Sequence, residues 1–341
     1  MKERDSNIEL LRIIATLFIM MLHCNGWILR DFGGVNGWFI GGYSVGMSRI
    51  LIQNITVLGV DLFILISGFY GLRPKLKSIV NLFTLLLFFY VGCYLWNCAL
   101  GHEDFTWLNL CSNFLAFSRA NWFINSYLFL LLLSPLINAF VDSVSTHRLG
   151  YYTIAYCLLT QYFGSLMVNQ YWWYNGGYSI VMMVGVYLVG RFLNRIKNWL
   201  NGIRYVNIVL VFFSLILIMS IIRCLSSNEE VWLNYGSPIT IFAATIFFIL
   251  FYRIPTFNSK LINWTGSSCL AAYVLHTCYP MFPWLVRKDI SFFLNDAYPL
   301  YCIKISAVIG GIFVLAILLD KVRMLMFKPL INWCGKIKIL D

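Results

Sequence analysis

The chain has 341 residues, of which 60% are apolar, 18% aromatic and only 11% charged, and it carries a formal net charge of +11. A water-soluble globular chain holds roughly a quarter charged residues and a disordered one more, so both classes are excluded and an integral membrane protein remains. Nucleic-acid binding falls away as well, because no soluble basic module exists to present the charge.

The first residues, Met1 to Asp5, lead into an apolar segment too long for a signal-peptide core. It is interrupted by Arg12 and followed by no small-residue cleavage site, so it is expected to stay as the first span. A spanning helix needs about 20 mostly apolar residues. Apolar runs bounded by charge or by Pro, Gly and Asn predict spans near 7–29, 50–72, 78–100, 121–142, 149–169, 177–194, 205–223, 233–252, 261–286 and 299–319. The expected fold is all-α and polytopic, a single membrane domain over 1–341 with about ten transmembrane helices and no separate soluble domain. The apolar stretch 107–120 is too short to span and is expected in the outer interface.

An even number of spans places both termini on one side, and the cations say which. Lys and Arg at 2, 4, 12, 73, 75, 77, 148, 191, 195, 197, 204, 253, 260, 321, 323, 328, 336 and 338 make 18 of the 25. The other side holds 30, 49, 119, 223, 287, 288 and 304. Basic residues accumulate on the cytoplasmic face, so both termini are expected there. Such a surface serves topology and anionic lipid, and also suits a polyphosphate ligand arriving from the cytosol. Nine tryptophans (27, 38, 96, 107, 122, 172, 173, 232 and 284) fall on the outer side and three (199, 264 and 333) on the inner. That asymmetry hints at an outward surface for stacking sugar rings. The ten cysteines form no CxxC pair and have no His at ligand spacing, so they read as small buried apolar residues and no metal site is expected. No internal repeat of the kind that marks alternating-access transport is visible.

Ionisable groups within a bilayer cost several kcal/mol unless paired or hydrated, so each is a functional candidate. Arg12 and His23 are eleven residues apart, about three whole helical turns, and share one face of the first span. Glu9 is placed to pair with Arg12. Asp61 in the second span and His276 in the ninth are expected at depths near that of His23. A carboxylate beside an imidazole fixes its tautomer and raises its basicity, so Asp61 is expected to orient His23 as a general base. The plainer alternative is that His23 bonds a neighbouring helix and Asp61 pairs structurally with a cation. His102 and His147 fall in loops and support no such argument.

Arg12-x10-His23 resembles the signature of the acyltransferase type 3 family of membrane proteins. Gly59-Val60-Asp61-Leu62-Phe63-Ile64-Leu65-Ile66-Ser67-Gly68-Phe69 is similar to that family's G-V-D-L-F-F-x-x-S-G-F segment, and the basic residues Arg73, Lys75 and Lys77 follow it. Trp122-Phe123 with Tyr127, continuing to Ser134-Pro135-Leu136-Ile137-Asn138, resembles its W-F-x-x-x-Y and S-P-L-x-N stretch, and Tyr273-Val274-Leu275-His276 its late Y-x-x-H element. Four elements in order across 12–276 make the resemblance specific. The segment after the second span is poorer in arginine than in many relatives.

The resemblance implies transfer of an acyl group, usually acetyl from acetyl-CoA, to a hydroxyl of a cell-envelope or exported carbohydrate such as capsule or O-antigen. It implies a multi-pass protein of the bacterial cytoplasmic membrane, with acetyl-CoA as donor substrate and no permanently bound cofactor. Relatives with an added soluble hydrolase-like domain complete the transfer outside the membrane. This chain ends 22 residues after its tenth expected span, so it is expected to act alone or with a separate extracytoplasmic transferase or glycan-assembly protein. On this reading His23, Asp61 and Arg12 are catalytic. Arg12, Arg73, Lys75 and Lys77 meet the coenzyme, with Arg195 and Lys197 nearby. His276, Tyr273, Trp122 and Tyr127 face the acceptor. Ser67 and Tyr127 are either oxyanion donors or helix-packing hydroxyls. The competing class is a transporter or flippase for a glycolipid, which also needs intramembrane charge but consumes no acetyl-CoA.

Overall fold

The computed structural model describes residues 5–29, 43–114, 122–166, 174–226, 229–278 and 298–337. Among the described residues there is no strand. The helices are α1 (Ser6–Leu29), α2 (Tyr43–Thr56), α3 (Leu58–Tyr70), α4 (Leu76–Ala99), α5 (Trp107–Phe114), α6 (Trp122–Ser143), α7 (Thr146–Gln161), α8 (Ile180–Arg195), α9 (Lys197–Leu200), α10 (Tyr205–Leu225), α11 (Glu229–Leu233), α12 (Pro238–Tyr252), α13 (Lys260–Gly266), α14 (Cys269–Thr277), α15 (Tyr298–Met326) and α16 (Lys328–Cys334).

Seven helical stretches are long and apolar enough to cross a membrane: Ser6–Asn25, Gly46–Tyr70, Leu76–Ala99, Trp122–Ser143, Tyr205–Leu225, Val231–Tyr252 and Cys302–Met326. Each coincides with an expected span. The expected spans 149–169, 177–194 and 261–286 fall on α7 with its π-helical extension Tyr162–Leu166, on α8, and on the broken pair α13 and α14. These are too short or too interrupted to join the seven. Residues 167–169 and 279–286 of those spans lie outside the described residues, as do 115–120 of the interfacial stretch, whose first part is α5.

Helix ends follow local chemistry. The Ser145, Ser179 and Ser259 hydroxyls accept from the backbone N–H of Arg148, Met182 and Ile262, capping α7, α8 and α13. Helix α3 stops at Gly71, which adopts φ +76 and donates its N–H to Ser67 O and Gly68 O. Pro135 inside α6 removes the donor that Leu131 O would use, and the hydroxyl of Ser134 supplies one at 2.7 Å. In a medium without water that orphaned carbonyl needs such a replacement, which accounts for the serine next to the proline.

Helix α3 is the central element, packed between α1, α8 and α12. Gly68 and Gly190 let α3 and α8 meet backbone to backbone. A Cβ on Gly190 would lie 2.6 Å from Leu65 O and 2.9 Å from Gly68 Cα. Small residues at such a crossing are how helices associate closely in lipid. Gly190→Ala is expected to push the two helices apart, at a cost of about 1–3 kcal/mol. The check is the yield of monodisperse protein in mild detergent, which should fall several-fold while the same change at Gly92, where nothing lies within 4 Å, leaves it unaltered.

The start of α1 is tied to the far part of the sequence. Ser6 Oγ donates to Asn263 Oδ1 at 2.9 Å and accepts from Ser259 N, and Asn7 Nδ2 donates to Phe251 O at 3.2 Å. Gly266 closes this contact, because a Cβ there would run into the Glu9 carboxylate. With their feet joined, α1 and α14 rise side by side and bring His23 and His276 to one level.

Candidate functional site

His23 Nδ1 and His276 Nε2 are 2.8 Å apart, with ring centroids 5.0 Å apart. His276 is fully buried, and its Nδ1 lies 2.9 Å from Ala272 O. A carbonyl only accepts, so His276 Nδ1 carries a proton and, in the neutral ring, its Nε2 is an acceptor. His23 Nδ1 therefore donates to it, and the basic nitrogen of neutral His23 is Nε2. The tautomers are assigned by this hydrogen-bond network. The expected common depth of the two histidines is what the structure has, and their direct contact is an addition to it.

An aromatic series leads away from this pair. His276 meets Tyr273 (5.6 Å between centroids), Tyr273 meets Phe123 (5.0 Å), and Phe123 meets both Trp122 (5.9 Å) and Tyr127 (6.0 Å). Trp122 in turn stacks on Tyr235 at 5.7 Å and touches Tyr178 at 5.0 Å. The four residues expected to face an acceptor, His276, Tyr273, Trp122 and Tyr127, thus belong to one wall. Phe123, Tyr178 and Tyr235 complete it. The two tyrosines were not legible in the sequence, since they flank helices in segments without periodicity. Tyr127 Oη and Ser67 Oγ lie 3.3 Å apart, and Ser67 Oγ donates to Phe63 O at 2.9 Å, which is the helix-packing role.

Asp61 is not the partner of His23. It is fully buried, and neither carboxylate oxygen has a hydrogen-bond partner among the described residues. The reason lies in helix phase. Gly59 abuts α1 at Ala15 and Ile19, whereas Gly68 abuts α8. Asp61 is seven residues from Gly68 and so shares its face, and is two residues, about 200°, from Gly59. Depth separates them too. With Gly59 opposite residues 15–19, His23 stands about eight residues, ~12 Å of axial rise, beyond the level of Asp61. Asp61 instead lies near enough to Cys157, Tyr174 and Tyr235 for its charge to reach all three.

At the end of the bundle where α3 terminates, a cavity of about 500 Å³ is lined by Tyr70, Gly71, Leu72, Arg73, Pro74, Lys75, Pro135, Asn138, Asp142 and Arg191. Asn138, from the S-P-L-x-N stretch, donates to Leu72 O at 2.9 Å and accepts from Tyr187 Oη at 2.8 Å, which fixes the turn bearing Arg73. Of the expected basic group, Arg73 and Lys75 line this cavity. Lys77 does not, since its stem packs toward Gly335 next to α16. Arg191 is a cation of this cavity that the sequence reading did not single out. It reaches Asp142 at 3.5 Å, and Arg195 bonds Val141 O at 2.7 Å. Lys197 begins α9 and is not part of the lining. Arg12 pairs with Glu9 at 2.5 Å as expected, and lies within electrostatic reach of Tyr70 on the cavity wall.

Of the outer tryptophans, 38, 172, 173 and 284 lie outside the described residues. Arg49, expected just before a span, is instead inside α2 and buried, where its carbonyl accepts from Asn25 Nδ2.

A family model described as an acyltransferase domain matches residues 5–320 of the chain. No curated protein and no solved structure matches it.

Proposed function

The chain belongs to the acyltransferase type 3 family, and from that premise we propose that it moves an acetyl group from acetyl-CoA to a hydroxyl of a cell-surface polysaccharide or its lipid-linked precursor. The observation that carries the reading is the His23–His276 contact, with its fixed tautomers, at the head of an aromatic wall. The proposed setting is the bacterial cytoplasmic membrane, crossed about ten times by one domain, with both termini and the Arg73 cavity on the cytoplasmic side.

In this proposal the phosphates of the coenzyme meet Arg73, Lys75 and Arg191, since cations on a rigid turn suit phosphate. Arg12, held by Glu9, stands where the coenzyme arm leaves the cavity. From the cavity rim at Tyr70 to the level of His23 is about 17 residues of helix, ~25 Å, the path proposed for the pantetheine arm between helices. His23 Nε2 takes the proton of the acceptor hydroxyl while its oxygen attacks the acetyl carbonyl, and the leaving thiolate recovers that proton. The products are the acetyl ester and free coenzyme A. The positive charge developing on His23 spreads to His276 through their shared hydrogen bond, which takes the place expected of Asp61. A variant of the same chemistry has Nε2 attack first and pass the acetyl group on.

The test is the acetyl content of surface polysaccharide with and without the gene, alongside consumption of acetyl-CoA by membranes. Loss of O-acetyl esters with the gene supports the proposal. Unchanged esters and no acetyl-CoA consumption would favour the transporter class. A second expectation concerns the cavity: Arg73→Ala combined with Arg191→Ala should raise the KM for acetyl-CoA at least tenfold with little change in kcat, and the difference should shrink in high salt. Lys77→Ala should do much less.

A further inference from the structure

A carboxyl group sealed inside a membrane-embedded bundle with neither oxygen satisfied is costly and calls for an explanation. Asp61 is such a group, and the hydroxyls of Thr153 on α7 and Thr245 on α12 are likewise buried with no hydrogen-bond partner among the described residues. Tyr235 lies within electrostatic reach of both the Asp61 and Tyr273 side chains and is joined by a hydrogen bond to Tyr178. Tyr235 stacks on Trp122, and Tyr178 meets Trp122 and Tyr235 edge-on at 5.0 and 5.1 Å. Aromatic faces beside a carboxyl that has acceptor capacity to spare are the chemistry that takes a sugar: the rings cover its C–H face and the carboxyl holds adjacent hydroxyls. A cation would need several oxygen ligands, and among the described residues no group of three acidic, His or Cys side chains gathers here.

We infer that Asp61 is the anchor for the acceptor, binding hydroxyls of the glycan beside Tyr235 and the Trp122–Tyr178 pair, about 12 Å of axial rise from the level of His23. This rests on the acyl-transfer reading and deepens it. Asp61 lies on the face of α3 toward α8, away from α1 and from the coenzyme cavity, whose nearest lining residue on the same helix, Tyr70, is nine residues further on. In depth the coenzyme cavity, Asp61 and His23 thus follow one another, with Asp61 on the α8 side of α3 and His23 on the α1 side.

The experiment uses membranes containing the full chain, radiolabelled acetyl-CoA, and the polysaccharide of the producing cell's own envelope after mild alkali has removed its esters. Initial rates are measured against each substrate in turn for the natural chain, Asp61→Asn and Tyr235→Phe. The expected result is a KM for glycan raised tenfold or more by Asp61→Asn and about threefold by Tyr235→Phe, with the KM for acetyl-CoA within twofold of the original. That unchanged donor KM also certifies a folded enzyme. A glycan KM unchanged in Asp61→Asn overturns the inference. So does a parallel rise in the acetyl-CoA KM, which assigns Asp61 to the coenzyme arm, or a loss of both, which assigns it to the fold. If the natural chain itself acetylates no glycan, the acyl-transfer reading fails, and that outcome is read before any variant is compared.

Discussion

Replacing His23 by alanine should lower acetyl transfer by about 10²–10⁴-fold, the range that a positioned general base supplies. Insertion and protein level should stay normal, because the change removes a polar group from the membrane and adds none. The contrast that makes this specific lies at His276. Its Nε2 accepts from His23 Nδ1, and Ala272 O sets that polarity. A glutamine at 276 can still present an oxygen near the same place, so His276→Gln should keep a measurable fraction of the activity. His276→Phe fills the space but offers no acceptor, leaves His23 Nδ1–H unsatisfied, and should approach the His23→Ala level. Single-turnover rates at saturating acetyl-CoA are the measurement. Equal activity in the Gln and Phe variants would show that the contact is only packing, and normal activity in His23→Ala would falsify the assignment of the base.

The second large effect is on stability. Arg323 and Asp320 are each 1% exposed and 2.7 Å apart on α15, and Arg323 Nη1 also donates to Asn81 Oδ1 at 2.9 Å and Thr84 Oγ1 at 3.0 Å on α4. Breaking a buried pair by removing one member leaves a charge with no counter-ion, at a cost of about 3–5 kcal/mol. Asp320→Ala should therefore aggregate or lose its thermal transition in detergent. Replacing both members, Asp320→Leu with Arg323→Met, should recover most of the loss, because an apolar pair of similar volume carries no stranded charge. A double variant no better than Asp320→Ala would mean that the bonds from Arg323 to α4 hold the helices together, and that the ion pair itself matters little.

The spans were legible because hydropathy over 20 residues is a strong signal, and seven of them lie where the apolar runs put them. The three weaker spans coincide with helices that are short or broken, where a run of apolar residues cannot reveal a π-turn after Gln161 or the interruption at Ser267 and Ser268. The common level of His23 and His276 followed from depth, which a count of residues from the basic boundary supplies; their direct contact did not. Asp61 did not follow: it stands about eight residues in depth from His23, and no count along the sequence says which neighbour a helix face meets. That is decided by the close approaches at Gly59 and Gly68, visible only once the helices are assembled. Arg191 was hidden for a similar reason: it was one of eighteen cations on its side of the sequence, and only the turn fixed by Asn138 brings it to Arg73. Tyr178 and Tyr235 carry no sequence signal beyond being aromatic in a chain rich in aromatics.

The polarity of the histidine pair ends on the carbonyl of Ala272, a main-chain atom. No codon change can delete that oxygen, so the direction in which the two imidazoles pass their proton is inherited from the winding of the peptide. Evolutionary drift along this wire can strike only its two rings, and its terminus is proof against substitution.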